Sequence, residues 1–298
     1  MSPRQGRETR RQRDAVRVRV GGVVLALAAG PGGPALRLPA THRAFRSRRG
    51  GDIRLTVVTA PVPEGRPDRL LFDSAGPWRV FGHDAGLLYV LSSEACRPQT
   101  YRGVLVDGEL RAGTLFVPRG EAVPRLTLQH PLDELLFTHR LAGDGHAVLH
   151  ACGIRVRGRV ALLCGESGAG KSTSARLWTR LRPASVVLSD DRIVVRRTSR
   201  GLRAFGTPWH GEARFAVPGS APLAAVFFIR HAADSRAIPL AAADAASRLF
   251  ARSFPPLWDG RGVARVLDCC SEIAARVPCF DLPFRPDASA IEAVLGAL

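Results

Sequence analysis

The chain has 298 residues, 46% of them hydrophobic, which is ample for the core of one large domain or two modest ones. A folded globular protein is therefore expected, and no apolar run is long enough to span a membrane. The formal net charge is +17, but twelve arginines against Glu8 and Asp14 place ten of those charges in the first 49 residues, so the remainder is only mildly basic.

Residues 1–15 are polar and Arg-rich and lack an apolar period, which predicts a disordered basic arm. Such an arm raises the question of nucleic acid, but no aromatic residue interleaves with it, so nucleic acid is not the expected partner. The run Val20–Ala29, which follows Arg10 and Arg11, is open to interpretation as a secretory signal of the twin-arginine kind. The alternation in Val16–Val20 favours a strand instead.

Residues 16–128 are expected to form a β-rich domain, because short apolar runs recur there between turn signals. Asp107-Gly108 predicts a hairpin turn, and prolines around Gly65 predict a long connection. The remaining predicted strands are Ile53–Val58, Leu70–Asp73, Trp78–Phe81, Leu87–Leu91, Gly103–Val106 and Thr114–Val117.

A second domain, residues 129–298, begins where the period becomes helical at Pro131–Ala142. Strands are predicted at His146–His150, Gly153–Val156, Arg159–Cys164, Val186–Leu188, Ile193–Arg196, Ala224–Ile229 and Val277–Leu282. Helices are predicted at Lys171–Leu181, Ala241–Arg252, Gly262–Ala275 and Asp287–Ala297, the last with Asp287 as its N-cap. The alternation of strands and helices indicates an α/β domain.

The six cysteines lack a Cys-x-x-Cys pair and a metal-ligand spacing with any histidine, so they are interpreted as reduced, mostly buried thiols. This composition favours a cytoplasmic location. They are Cys96, Cys152, Cys164, Cys269, Cys270 and Cys279.

One segment carries a phosphate-binding motif: Gly165-Glu166-Ser167-Gly168-Ala169-Gly170-Lys171-Ser172 matches G-x-x-x-x-G-K-[ST], and Thr173 continues it. An apolar strand precedes the motif and a predicted helix follows, which is the context of a P-loop and argues against a chance glycine turn. The loop amides and Lys171 would hold the phosphates of ATP, and the Ser172 hydroxyl would bind Mg²⁺. Lys171 is the only lysine in an Arg-rich chain, which favours a need for a compact ammonium.

Asp190 and Asp191 directly follow the next predicted strand, whose carboxyl end is expected beside the loop. One carboxylate, Asp190, could hold Mg²⁺, and Asp191 could accept the proton of an attacking hydroxyl. Adjacent acids are expected to raise one another's pKa. The alternative is an acidic pair that opens a solvated turn.

Two histidines, His150 and His210, are candidate site residues. His150 ends a strand before the loop, and by itself such a residue is more often packed in the core than catalytic. The turn Trp209-His210-Gly211 could frame a nucleotide base or a substrate, or could simply be a packed loop.

The segment from Leu149 to Thr173, with Val186–Asp191 behind it, resembles the C-terminal catalytic domain of the HPr kinase/phosphorylase family, whose core is similar to that of ATP-dependent phosphoenolpyruvate carboxykinase. The resemblance is dense over His150–Asp191 and extends from about His130 to the C-terminus, whereas residues 1–125 carry none of it. It implies a P-loop kinase for serine hydroxyls, preceded here by a smaller β-rich domain. Relatives of this fold assemble into rings, so a homo-oligomer is a further expectation.

Residue by residue, the resemblance places the family's strand-end histidine on His150, its P-loop lysine on Lys171, its magnesium-binding serine on Ser172 and its proton acceptor on Asp191. The family's second magnesium carboxylate has only Glu212 as a weak candidate. The family's catalytic arginine, which lies in a loop nearer the C-terminus, has no recognisable counterpart in the sequence, although Arg192 or Arg214 could supply a positive charge.

The leading hypothesis is an ATP- and Mg²⁺-dependent kinase that phosphorylates a hydroxyl of a protein, peptide or small molecule. The alternative is a P-loop NTPase that acts as a nucleotide-dependent regulatory switch. Robust hydrolysis without a phosphorylated product would favour the alternative.

Overall fold

The computed structural model describes residues 15–92, 100–119 and 126–298. The chain is a mixed α/β protein that divides into two compact units, Met1–Arg140 and Leu141–Leu298, each with a large sheet. Residues 1–14 of the predicted basic arm lie outside the described residues.

The first unit contains an eight-stranded sheet in the order β1-β2-β3-β8-β7-β6-β5-β4. Its strands alternate as the sequence predicts: in β3, Ile53, Leu55 and Val57 are buried while Arg54 and Thr56 are exposed. The strands are β1 Val16–Val20, β2 Val23–Ala29, β3 Ile53–Val58, β4 Leu70–Asp73, β5 Trp78–His83, β6 Gly86–Ser92, β7 Thr100–Val106 and β8 Ala112–Phe116. Short 3-10 helices lie at Ala40–Phe45 and Pro67–Arg69.

Two sequence interpretations of this unit are settled by the pairing. Val23–Ala29 pairs antiparallel with β1 as a hairpin. The segment that resembles a secretory signal is therefore a strand in this structure. Between β7 and β8, the Asp107 carboxylate accepts hydrogen bonds from the amides of Glu109, Arg111 and Ala112, so this residue forms the predicted turn.

The division between the units falls inside helix α1, Leu132–Gly143, and therefore later than the boundary predicted at residues 128 and 129. Buried polar contacts hold the first part of α1 to the first unit. The His42 Nε2 and Asp133 Oδ2 atoms lie 2.7 Å apart, and the Tyr89 hydroxyl lies 2.5 Å from His139 Nδ1. A change in the hydrophobic period along the sequence marks where a helix begins, but it does not show which unit the helix packs against.

In the second unit, strand pairing closes a ring. β10 pairs antiparallel with β9 and parallel with β14, while β9, β12, β13 and β14 pair antiparallel in succession. The strands are β9 Ala147–Val156, β10 Arg159–Cys164, β11 Val186–Ser189, β12 Arg192–Thr198, β13 Gly201–Phe205, β14 Ser220–His231, β15 Ile238–Pro239 and β16 Cys279–Phe284. β13 was not predicted, and the two strands predicted between His146 and Val156 are one continuous strand.

Four helices complete this unit: α2 Lys171–Leu181, α3 Ala242–Phe250, α4 Gly260–Arg276 and α5 Ala288–Gly296. Residues of α3 and α4 share one buried cluster with the strands, and residues of α2 and α5 share another, so apolar stripes on the helices cover two faces of the strands. The predicted N-cap of α5 is confirmed, because the Asp287 carboxylate accepts from the amide of Ser289.

The five cysteines within the described residues are free thiols in this unit, and all of them are buried. Burial raises the pKa of Cys269 and Cys279 to about 11, which makes these thiols unreactive at neutral pH. Cys96 lies outside the described residues. In the part of the chain that the structure describes, the helices are all too short or too polar to cross a membrane.

Candidate functional site

The candidate site lies where several strands of the second unit end. β10, β14 and β16 run parallel, so their carboxyl ends meet at one edge of the sheet. β11 points the same way, because β9 pairs antiparallel with both β10 and β11. The loop after β10 and the acidic pair after β11 are thereby brought to the same edge, as the sequence predicts.

The glycines of the loop Gly165–Ser172 are needed for its shape. Gly168 and Gly170 have φ of +79° and +100°, in the left-handed region that favours glycine. A Cβ on Gly165 would lie 2.8 Å from both the Ala169 Cβ and the Ile229 Cγ1 atoms. The backbone therefore curls as tightly as a P-loop requires.

Helix α2 starts directly from this loop. Gly170 is its N-cap and offers no side-chain acceptor, so the first-turn amides are available to another acceptor at the positive end of the helix. This geometry suits an anion such as a phosphate chain.

Lys171 lies over the loop that precedes it. The residue is 7% exposed, and its ammonium donates hydrogen bonds of 2.8 Å to the carbonyl oxygens of Gly165 and Glu166. Desolvation lowers the pKa of Lys171, opposed by the negative charge of Asp191. The chain's one lysine is thus held inside the loop, close to the acidic pair.

Asp190 is a buried acceptor on which several segments converge. Its Oδ2 atom accepts from the Ser172 hydroxyl at 3.0 Å and from the Ala213 amide at 2.9 Å. Its Oδ1 atom accepts from the amides of Gly211 and Phe215, each at 3.1 Å. Asp190 is 1% exposed, and its hydrogen bonds join the start of α2 to the 211–215 turn.

Asp191, the next residue, lies in a different setting. His150 Nε2 is 2.9 Å from its Oδ1 atom, and the Arg192 guanidinium donates to its Oδ2 atom at 2.6 Å. His150 and Arg192 are cross-strand partners in the pairing of β9 with β12. The main-chain carbonyl of Asp191 also accepts from the amide of Ala151, so the residue is fixed beside β9.

The expectation that the adjacent acids raise one another's pKa is wrong for Asp191. Burial alone would raise the pKa of this carboxyl, but the His150 hydrogen bond and the positive charges of Arg192 and Lys171 outweigh burial and lower it. Asp191 is therefore a carboxylate at neutral pH. Arg192 is adjacent to Asp191 in sequence, whereas His150 and Lys171 come from β9 and α2 and reach the carboxyl only through the fold.

The structure adds two residues that sequence reasoning missed, both in the segment that follows α3. The Phe254 ring lies 4.0 Å beneath the Arg192 guanidinium. Arg252 lies 3.6 Å from the Glu166 carboxylate in the loop, and its side chain is 20% exposed. No motif marks these residues, because a loop about 60 residues beyond the acidic pair reaches the site only through tertiary pairing.

The turn containing Trp209 is also fixed from within the site. Trp209 is buried, and its carbonyl accepts from the hydroxyls of Ser189 and Thr207. This supports the packed-loop interpretation of Trp209, whereas His210 is only half-buried. Glu212 and Arg214 are exposed on the turn whose amides surround Asp190.

The structure thus brings together His150, Lys171, Ser172 and both aspartates, while Thr173 is exposed on the first turn of α2. Within the described residues, there is no preformed cluster of three or more His, Cys, Asp or Glu side chains for a metal ion. A cation at this edge would need oxygen atoms from Ser172 and the neighbouring carboxylates, together with oxygens of a ligand.

The fold and the loop together define an α/β protein with a P-loop at the carboxyl edge of its second sheet. No protein-family model matches the chain. A stretch of 71 residues, 23% of the chain, is 44% identical to the methionine import ATP-binding protein MetN 1 of Pseudomonas fluorescens and covers 21% of that protein. The chain therefore matches only a small part of the length of this curated relative.

Proposed function

We propose that this protein is an ATP-dependent kinase with a catalytic domain of the HPr kinase type, which transfers the γ-phosphoryl group to a serine hydroxyl of a protein, peptide or small molecule. One observation carries the proposal: an ionised carboxylate, Asp191, lies with His150 at the same sheet edge as Lys171 and Ser172. A base beside a phosphate-binding loop is the arrangement that phosphoryl transfer to a hydroxyl needs.

The residues of the loop fit a nucleoside triphosphate with Mg²⁺. The uncapped amides at the start of α2 and the Lys171 ammonium would bind the phosphate oxygens. Ser172 would bind Mg²⁺, and Asp190 would orient the Ser172 hydroxyl, to which it is hydrogen-bonded. When bound, Mg²⁺ neutralises charge that develops on the transferred phosphoryl group.

Asp191 would accept the proton of the acceptor hydroxyl. The hydrogen bonds from His150 and Arg192 fix the direction of its carboxylate, which reduces the cost of orienting the base. The lowered pKa keeps Asp191 deprotonated over the neutral range, so the base is ready without prior loss of a proton. The similarity to a protein named as ATP-binding supports the choice of nucleotide.

The same similarity favours a second candidate, a nucleotide-dependent switch or NTPase, because it is to a transport ATP-binding protein. The two functions differ in the fate of the γ-phosphoryl group, which would go to water in the switch. The carboxylate of Asp191 favours the kinase, because His150 and Arg192 hold it in one orientation, as a base for an acceptor hydroxyl needs.

The test is phosphoryl transfer from radiolabelled ATP, in Mg²⁺, to a degenerate serine peptide library. The matched alanine library is the acceptor control. We expect label in the serine library only, and the Asp191→Asn variant should lose about 10²–10⁴-fold of that rate. Asp268→Asn, which changes an exposed carboxylate on α4, is the control variant and should keep it. Release of inorganic phosphate with no labelled peptide would support the switch and contradict the kinase.

A further inference from the structure

The segment Arg252–Phe254, which follows α3, is paired with the start of β9. The His150 amide donates to the Arg252 carbonyl at 2.7 Å, and the Phe254 amide donates to the Val148 carbonyl at 3.0 Å. An isolated bridge joins Leu149 to Ser253. These backbone bonds fix Phe254 beside His150, although the two residues are far apart in sequence.

The Phe254 ring contacts both partners of the proposed base. The Arg192 guanidinium carbon lies 4.0 Å from the ring centroid, whereas four other arginine and ring pairs of the described residues are separated by 5.6–5.9 Å. The His150 and Phe254 ring centroids are 6.0 Å apart, with the planes tilted by 59°. One aromatic ring thus supports the two groups that hold the Asp191 carboxylate.

We infer that Phe254 is a positioning residue, whose ring holds the Arg192 guanidinium flat so that its Nη1 edge is directed at the Asp191 carboxylate. This inference rests on the proposed function of Asp191. A guanidinium stacked on a ring keeps its in-plane donors free, so it binds the ring and a carboxylate at the same time.

Without the ring, the long arginine side chain has several rotatable bonds and loses the aromatic face against which its plane is set. The Asp191 carboxylate would then keep His150 and lose a fixed second donor. Because the nucleotide loop does not depend on this stack, the change should appear in turnover and not in nucleotide affinity. Ordinary packing of Phe254 in the core would instead affect stability alone.

Three variants test this inference in the full-length protein. Phe254→Leu keeps an apolar side chain and removes the aromatic face, and Phe254→Tyr keeps the face. Phe205→Leu is the matched control, because Arg196 lies 5.9 Å from the Phe205 ring on β12 and β13, outside the site. Turnover is measured with ATP, Mg²⁺ and the serine peptide library, and nucleotide affinity with a fluorescent ATP analogue.

We expect Phe254→Leu to lower kcat about tenfold while the KM for ATP and the affinity for the analogue change less than about twofold. Phe254→Tyr should restore kcat, and Phe205→Leu should leave it unchanged. The inference is overturned if Phe254→Leu has the kcat of the wild type, or if Phe254→Tyr is as impaired as Phe254→Leu.

A second measurement separates this inference from the proposed function. The Nε–H resonance of Arg192, assigned with Arg192→Lys, should be displaced by the ring current of Phe254. We expect it to move in Phe254→Leu and to stay near its wild-type position in Phe254→Tyr. If the resonance keeps its wild-type position in both variants, the positioning role is excluded. Absence of peptide phosphorylation by the wild type, with the resonance responding as expected, overturns the kinase proposal alone.

Discussion

The two halves of the candidate site are built from different material. The loop Gly165–Ser172 is a backbone structure: glycine conformations shape it, and the amides at the start of α2 are its hydrogen-bond donors. The acid half is a side-chain structure, in which His150, Asp191 and Arg192 form a hydrogen-bonded group in contact with Phe254. One contiguous segment makes the first half, whereas the second depends on strand pairing and on a distant loop.

The adjacent aspartates, Asp190 and Asp191, lie in different hydrogen-bonding environments. Within the described residues, Asp190 accepts four hydrogen bonds, from Ser172 and the 211–215 turn, so it organises the local structure. Asp191 faces side-chain donors, a histidine and an arginine, and is partly accessible. Adjacent residues of the same type thus acquire different roles from their surroundings, and substitutions should separate them.

On the backbone side of the comparison, the largest effect is expected at Lys171. Lys171→Ala should lower phosphoryl transfer by about 10²–10³-fold, because it removes the ammonium that the proposed mechanism uses to bind the phosphates. Lys171→Arg should not restore the rate, since a planar guanidinium does not fit the small buried space of the ammonium. Single-turnover transfer from radiolabelled ATP measures both, and an arginine variant with wild-type activity would contradict this assignment.

Asp190→Asn and Asp191→Asn should differ in stability. Asp190→Asn places an amide nitrogen among the donors that now surround a buried carboxylate, at a cost of about 2–4 kcal/mol in the free energy of unfolding. Asp191→Asn should cost less, about 1 kcal/mol, because the site is partly hydrated. Urea unfolding monitored by tryptophan fluorescence compares them. Equal losses would mean that Asp190 is not the organiser of the turn.

Two glycine substitutions test whether the conformation of the loop depends only on its own residues. Gly168→Ala has open space around the new Cβ, so it incurs only the strain of its positive φ, about 1 kcal/mol. In Gly170→Ala the Cβ would also lie 2.6 Å from the Phe284 ring on β16. We expect Gly170→Ala to be the more destabilising by about 1–2 kcal/mol in thermal unfolding. If Gly168→Ala is the more destabilising, the contact with β16 does not constrain the loop.

The smallest effect concerns pH. Because the folded-state pKa of Asp191 is below its ordinary value of 3.8, its ion pairs contribute stability above that pH and lose the contribution as the pH falls through the folded-state pKa. The stability difference between the wild type and Asp191→Asn should therefore be largest near neutral pH and shrink below about pH 3.8. Urea titrations across that range measure it. A gap that is independent of pH would show that Asp191 does not ionise with a lowered pKa.

Much of the fold follows from local pattern. The predicted strands of the first unit, the helix after the loop and the N-cap Asp287 are confirmed, because period, turn chemistry and capping are properties of neighbouring residues. β13 was missed, and β9 was divided in two at residues 151 and 152, because the pairing that holds these segments extended comes from strands elsewhere in the chain.

The sequence by itself determined the loop Gly165–Ser172, its lysine and the acidic pair, since a phosphate cradle is a property of contiguous glycines, a strand and a helix start. Only the tertiary structure decided that Asp190 is surrounded by amides while Asp191 lies between His150 and Arg192, with Phe254 against them. The physical reason is that hydrogen bonds and charge interactions act over a few ångströms of space, whatever the separation of the residues along the chain.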